Sequence, residues 1–243
     1  PDGLDTAAAE ADIDSDASGS PWEDSAPEVV PVDAPVGDTE ASPDEGPETS
    51  VVAAEEAWHI VHQDLDEALL SVWGSAHDDL WTVGADKGQG PLVLHGDADG
   101  WTRVVTGTMG DLWWVFGPSS GEVVMVGEHG AVLRYDLTTD TLTELDTQTD
   151  ATLFGVWGTS ERLWAVGGRL PPEDGPPVLL RIEGDVVTHE QLPGGLPAGV
   201  LLFKVWGTSP DDVWVVGEAG TQLHFDGEAW TYLPVEGAPR LVT

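Results

Sequence analysis

One phrase recurs along this chain from Ser71 onward. SVWGSAHDDLWTVG begins at Ser71, WVFGPSSGEVVMVG at Trp114, GVWGTSERLWAVG at Gly155 and KVWGTSPDDVWVVG at Lys204. The aromatic anchors are Trp73, Phe116, Trp157 and Trp206. They stand roughly 40 to 50 residues apart, the period of a repeat that forms one small sheet and cannot fold alone. Any fold for this chain must therefore stack several copies of one unit.

Each period divides into four short runs with near-alternating patterning, which reads as β-strand rather than helix. The first run ends in VWG or VFG, and a turn of Gly, Ser, Pro and Asp follows. The second is DLWTVG, VVMVG, LWAVG or VWVVG; the third is PLVLH, AVLRY, VLLRI or TQLHF; the fourth is WTRVV or WTYLP. Four antiparallel strands per period define a propeller blade, so the expected fold is all-β, a β-propeller with about four blades over residues 55–243. A lone blade leaves two apolar faces open, and stacking buries both. Trp73, Trp81, Phe116, Trp157, Trp164, Trp206 and Trp214 are expected to fill the spaces between blades, each indole burying about 150–250 Å². Trp58 opens a fourth-type run with no first three before it, and the run at 230–234 closes a fourth strand. The expectation is a piece of a larger ring of six or seven blades; a closed four-bladed ring is the competing arrangement. An open array leaves edges that invite association.

Residues 1–54 have another character. They contain no Lys or Arg, and the first such residue in the chain is Lys87. The segment is rich in Asp, Glu, Ala, Pro, Ser and Gly, with little apolar surface to offset ordering, so it is expected to be a disordered acidic linker. Asp12, Asp14, Asp16 and Glu23 match the first, third, fifth and twelfth places of a calcium loop. Ala17 stands where that loop needs Gly, and no helical pattern flanks it, so the match is weak and no metal site is assigned. The formal net charge is −37. Such a chain is repelled by nucleic acid and by anionic membranes. There is no cysteine, which removes disulfides, thiolate metal sites and cysteine nucleophiles. No apolar run reaches the roughly 18 residues of a membrane span. The chain begins at Pro1, from which a processed or trimmed N-terminus is expected, with a lipid anchor possible upstream.

The search for chemistry yields little. No phosphate-binding glycine loop, HExxH or GxSxG is present. Asp78–Asp79 and Asp211–Asp212 occupy repeated turn positions, where Asp normally bonds nearby amides. His59 and His62, three apart on an expected strand, would point to opposite faces and could not easily share a metal. His95, Arg134, Arg181 and His224 are a more distinctive set: each follows a Leu on the third run of its repeat, in a chain with only 8 Lys and Arg. Packing on a neighbouring Trp or pairing with a nearby Asp accounts for them; an array of contacts to anions or sugar acids is the alternative. The longest insertion, Arg169 to Pro177, with Arg169, Glu173 and Asp174, is the expected binding loop.

At VWGTSPDDVWVVGEAGTQLHFDGEAW the chain resembles a group of Trp-rich propeller repeats. These occur in predicted secreted proteins and lipoproteins of myxobacteria and related bacteria, where an acidic linker also precedes the repeats. The pattern is distantly similar to sialidase-type Asp-box propellers and to tectonin lectins, although GDADGWT and FDGEAWT do not reproduce the Asp-box spacing. The resemblance implies an extracytoplasmic protein of the bacterial cell envelope or a secreted one. It implies a non-enzymatic scaffold that binds a protein or a glycan, with no cofactor. The alternatives are a lectin of tectonin type and a glycosidase- or sialidase-like enzyme; no catalytic residue transfers.

Overall fold

The computed structural model describes residues 60–171, 173 and 175–238, all within the unit His59–Thr243. The expected linker 1–54, the calcium-loop match at Asp12, Asp14, Asp16 and Glu23, the run opening at Trp58, and Asp174 lie outside the described residues. Among the described residues sixteen strands form four sheets, each an antiparallel meander in chain order. The first holds β1 (Leu69–Ala76), β2 (Asp79–Gly84), β3 (Val93–Asp97) and β4 (Gly100–Arg103). The second holds β5 (Leu112–Ser119), β6 (Glu122–Gly127), β7 (Val132–Asp136) and β8 (Thr141–Glu144). The third holds β9 (Thr152–Gly158), β10 (Leu163–Gly168), β11 (Val178–Glu183) and β12 (Val186–His189). The fourth holds β13 (Leu202–Ser209), β14 (Asp212–Gly217), β15 (Gln222–Phe225) and β16 (Trp230–Tyr232). Each sheet is one sequence period, and the expected strands fall where the repeat placed them.

The sheets pack in series through their first strands, β1 on β5, β5 on β9 and β9 on β13. Among the described residues no comparable packing returns from β13 to β1. The series is open, so the closed four-bladed ring is not what these residues form. Three hydrophobic clusters fill the three junctions. Trp81, Val83, Leu112, Val115 and Met125 lie in the first, Val124, Leu153, Val156, Leu163 and Leu180 in the second, and Trp164, Val166, Val205, Val213 and Leu223 in the third.

Burial follows from position in the series. β10, with a sheet on either side, is buried at every residue. β14, in the last sheet, alternates half-buried and buried along its length, the period expected when one face is covered. The anchors of the repeat show how the faces meet. The ring of Trp73 crosses to the second sheet and lies on Gly117, where an added Cβ would fall 2.1 Å from Cη2. Trp157 crosses in the same way to Gly207, where a Cβ would fall 2.6 Å from Cζ3. Gly117 and Gly207 are thus seats for the preceding sheet's indole, whereas Gly158, at the second junction, packs on the Arg162 carbonyl of its own sheet. Trp206 departs from the expected pattern: it is 59% exposed, because no sheet among the described residues follows the fourth to supply its seat.

Trp164, 1% exposed at the third junction, is the strongest single test of this packing. Trp164→Ala is expected to cost about 3–5 kcal/mol of unfolding free energy, as for other buried aromatic truncations. Gly117→Val is expected to cost about 1–3 kcal/mol by overpacking the Trp73 seat. Val105→Thr, at a surface position, should stay within about 0.5 kcal/mol of the parent. Urea titrations followed by tryptophan fluorescence measure all three.

Candidate interaction site at the loop face

In a four-stranded meander the connection between the second and third strands emerges at the same end as the connection between sheets. These loops share one face of each sheet and are tied to one another. Asp86, after β2, accepts hydrogen bonds at Oδ1 from the amides of Gly88, Gln89 and Gly90 at 2.6, 3.0 and 3.0 Å. Its Oδ2 accepts from the Gly110 amide, just before β5, at 2.9 Å. The amide of Gly110, then those of Gly88, Gln89 and Gly90, hold the Asp86 carboxyl below its usual range against the opposing effect of burial. After β6 the chain turns at Glu128–Gly130, with Gly130 at φ +69° and closely packed on the Thr149 carbonyl. Thr147 Oγ1 donates to the Gly130 carbonyl at 2.8 Å, and His189 Nε2 donates to the Thr147 carbonyl at 2.8 Å.

The insertion Arg169–Pro177 joins β10 to β11 on this face. It closes on itself through the Arg169–Glu173 ion pair at 2.8 Å and the Glu173 amide on the Leu170 carbonyl at 3.1 Å. A groove lies on each side. One, of about 710 Å³, is polar and lined by His129, Glu144, Asp146, Gln148, Asp150 and Arg169. A smaller hollow of about 170 Å³ continues it past Glu128 and Glu173. Of the groups facing this groove, Arg169 already pairs with Glu173, and His129 Nδ1 lies 3.4 Å from Asp150. The polar groove therefore presents net negative potential. The other groove, also about 710 Å³, is apolar and lined by Pro176, Pro177, Leu192, Pro193, Leu196 and Pro197. Its far wall is the connection LPGGLPAG between β12 and β13. The Pro and Gly of that stretch were a visible loop signal, but nothing in the sequence showed that it would face Pro176 and Pro177.

The four cation-capable residues of the third strands sit one to a sheet, each with its own partners. His95 Nε2 lies 3.0 Å from Asp79 Oδ1 and its ring stacks on Trp81 at 4.4 Å. His224 repeats this with Asp212 Oδ1 at 2.8 Å and Trp214 at 4.1 Å. Both follow from register, since Trp81 pairs with His95 and Trp214 with His224 across the strands. Arg134 lies 2.6 Å from Glu122 and reaches the third sheet, at 2.8 Å from Asp185 and 2.7 Å from the Gly184 carbonyl. Arg181 meets Glu190 at 2.9 Å and Glu183 at 3.3 Å. Burial would raise the Asp79 carboxyl, but hydrogen bonds from Ser75, His95 and Trp81 outweigh it and hold Asp79 low. None of the four lines the two grooves beside the insertion.

Sequence reasoning missed Lys204. It extends from β13 across the third sheet, donates to the Phe154 carbonyl at 3.0 Å and lies 3.6 Å above the Trp114 ring in the second sheet. Gly155 leaves it room. The signal was one of the chain's few basic residues beside a VWG motif, but its reach over two sheets is a tertiary fact. Burial pushes the Lys204 ammonium down to about 8. The unfolded chain then holds more protons than the folded one between about pH 8 and 10.5, so folding stability gains from this residue as pH rises through that window. Lys204→Met removes this contribution. Thermal unfolding of both proteins from pH 7.5 to 10.5 should show the parent gaining on the variant as pH rises.

No protein-family model and no curated protein matches the chain. Among solved structures it is similar to the extracellular domain of a hybrid two-component system of B. thetaiotaomicron, at TM-score 0.53 and 10% identity over 70% of this chain and 25% of that one. It is also similar to YCF48 from Cyanidioschyzon merolae, at TM-score 0.50 and 17% identity over 67% of this chain and 52% of that one. The chain thus spans about a quarter and about half of their lengths. At these identities the likeness is one of architecture, and with the four meander sheets it makes this chain a β-propeller-type protein.

Proposed function

We propose that the chain is a non-enzymatic binding scaffold whose partner is a protein segment held at the loop face. The observation that carries this reading is the position of the Arg169–Pro177 insertion, a wall with an acidic groove on one side and an apolar groove on the other. The matching ligand is an extended peptide with basic residues beside Asp146 and Asp150 and apolar residues beside Leu192 and Leu196. The rigid sheets hold both grooves open, and the loops carry the specificity. A glycan ligand draws less support. Among the described residues Trp206 is the one indole that is mostly exposed, whereas a tectonin-like site would offer stacking surfaces in repeat after repeat. The extracytoplasmic location, the kinship with Trp-rich myxobacterial repeats and the role of residues 1–54 as an acidic tether are part of this proposal; they rest on the resemblance and composition described above.

Panning a random peptide display library against the full chain tests the reading. Enriched peptides should carry Lys or Arg together with Leu, Val or aromatic residues. They should lose at least about 10-fold in affinity when residues 170–176 are replaced by two glycines, with weaker binding at high salt. Binders indifferent to that replacement would place the site elsewhere, and selective retention on a glycan array instead would favour the lectin.

A further inference from the structure

We propose that the Pro- and Gly-rich wall of the apolar groove binds the main chain of its ligand, its open amides donating to the carbonyls of an extended, apolar peptide segment. The inference rests on the reading of the loop face as a peptide site and adds how one of its grooves recognises the occupant. The wall is a tandem of two four-residue units, Leu192-Pro193-Gly194-Gly195 and Leu196-Pro197-Ala198-Gly199. Each unit turns at its last two residues. Gly195 has φ +96° and Gly199 φ +67°, whereas Gly194 and Ala198 have no positive φ. That is the pattern of a type II turn, with a left-handed residue in the third place. Burial repeats with the same period. Leu192, Pro193, Leu196 and Pro197 are half-buried, and the Gly and Ala residues between and after them are exposed.

A type II turn engages the amide of its fourth residue and leaves its two central amides free. Among the described residues, the amides of Gly194, Gly195, Ala198 and Gly199 donate to no group of the chain. The wall is held by side chains instead. Leu192 and Leu196 pack on the hydrophobic cluster of the third junction, and each is followed by a proline that fixes its own φ. A segment anchored this way keeps its main chain available. The opposite wall differs, because Pro176 and Pro177 have no N–H to offer. The groove thus has donors on one side and only apolar surface on the other. An extended peptide fits both. It presents a carbonyl to the same side at every second residue, roughly 7 Å apart, while its apolar side chains meet leucine and proline. Main-chain carbonyls are common to all sequences, so this groove selects for extension and apolar character rather than for particular side chains. The acidic groove across the insertion adds the preference for Lys and Arg.

The probe is the most enriched peptide from the panning described above, synthesised as such and as a series of single amide-to-ester replacements. Its Kd for the full chain is read by fluorescence anisotropy. Proline suits the second place of a type II turn, so Gly194→Pro and Ala198→Pro each delete one amide hydrogen and keep the turn. Gly194→Ala and Ala198→Val keep the amide and control for added bulk; a Cβ at Gly194 would meet nothing within 4 Å. Thermal unfolding checks that all four variants are folded. Each proline variant should weaken binding about 3- to 10-fold, the range of one hydrogen bond, and each control should stay within about 2-fold of the parent. At least one ester replacement should cost the parent a similar factor and cost the matching proline variant little. Binding that needs residues 170–176 yet ignores the proline variants and every ester overturns the main-chain role and leaves the peptide site standing. Controls as damaging as the proline variants overturn it too, since bulk and not the donor would then be felt. A panning that yields no peptide dependent on residues 170–176 overturns this inference together with the reading it rests on.

Discussion

The fold depends on indoles seated on glycines between sheets. A four-stranded sheet of this size is marginal by itself, because both of its faces are apolar and neither is covered. Stacking solves both problems at once, and the VWG motif supplies knob and seat in adjacent residues. The side chain at Trp73 or Trp157 crosses the junction, and the missing side chain at Gly117 or Gly207 receives it. At the first and third junctions the repeated tripeptide thereby specifies both sides of the contact. At about 25 cal/mol per Å², an indole burying 150–250 Å² contributes about 4–6 kcal/mol before entropy is counted.

Electrostatics acts on this framework as a secondary constraint. Among the described residues every arginine meets a carboxylate: Arg103 with Glu67, Arg134 with Glu122 and Asp185, Arg162 with Glu183 and Asp211, Arg169 with Glu173, Arg181 with Glu183 and Glu190. Two of these, Arg134 with Asp185 and Arg162 with Asp211, bridge successive sheets. Partly exposed pairs of this kind are worth about 0–1 kcal/mol each, a fraction of what one buried indole contributes. They align sheets that the apolar clusters hold together. In a chain with 45 acidic residues and 8 basic ones, the described arginines are all engaged in such pairs, and the loop face is left with a surplus of carboxylates.

The two grooves illustrate how far primary structure can be read. The insertion at Arg169–Pro177 is legible because it breaks a period, and its length marks it as a loop. Its partner, the Pro- and Gly-rich connection ahead of β13, is legible as a loop as well. That the two face each other across a groove is not, because they are separated by two strands whose meander sets the distance. The third-strand cations show the opposite case. His95 beside Trp81 and Asp79, and His224 beside Trp214 and Asp212, follow from strand register once the hairpins are drawn.

Strand number, strand order within each sheet, the four-sheet count and the anchor positions Trp73 and Trp157 were all present in the repeat, because each depends on contacts between residues fewer than about 50 positions apart, within one period or between neighbouring periods. Whether the series closes, which indole lies open, where Lys204 reaches and which loops share a groove required the packed structure. Those properties depend on the angle and spacing between whole sheets, which arise from many small contacts added together, and no local pattern of residues records such a sum.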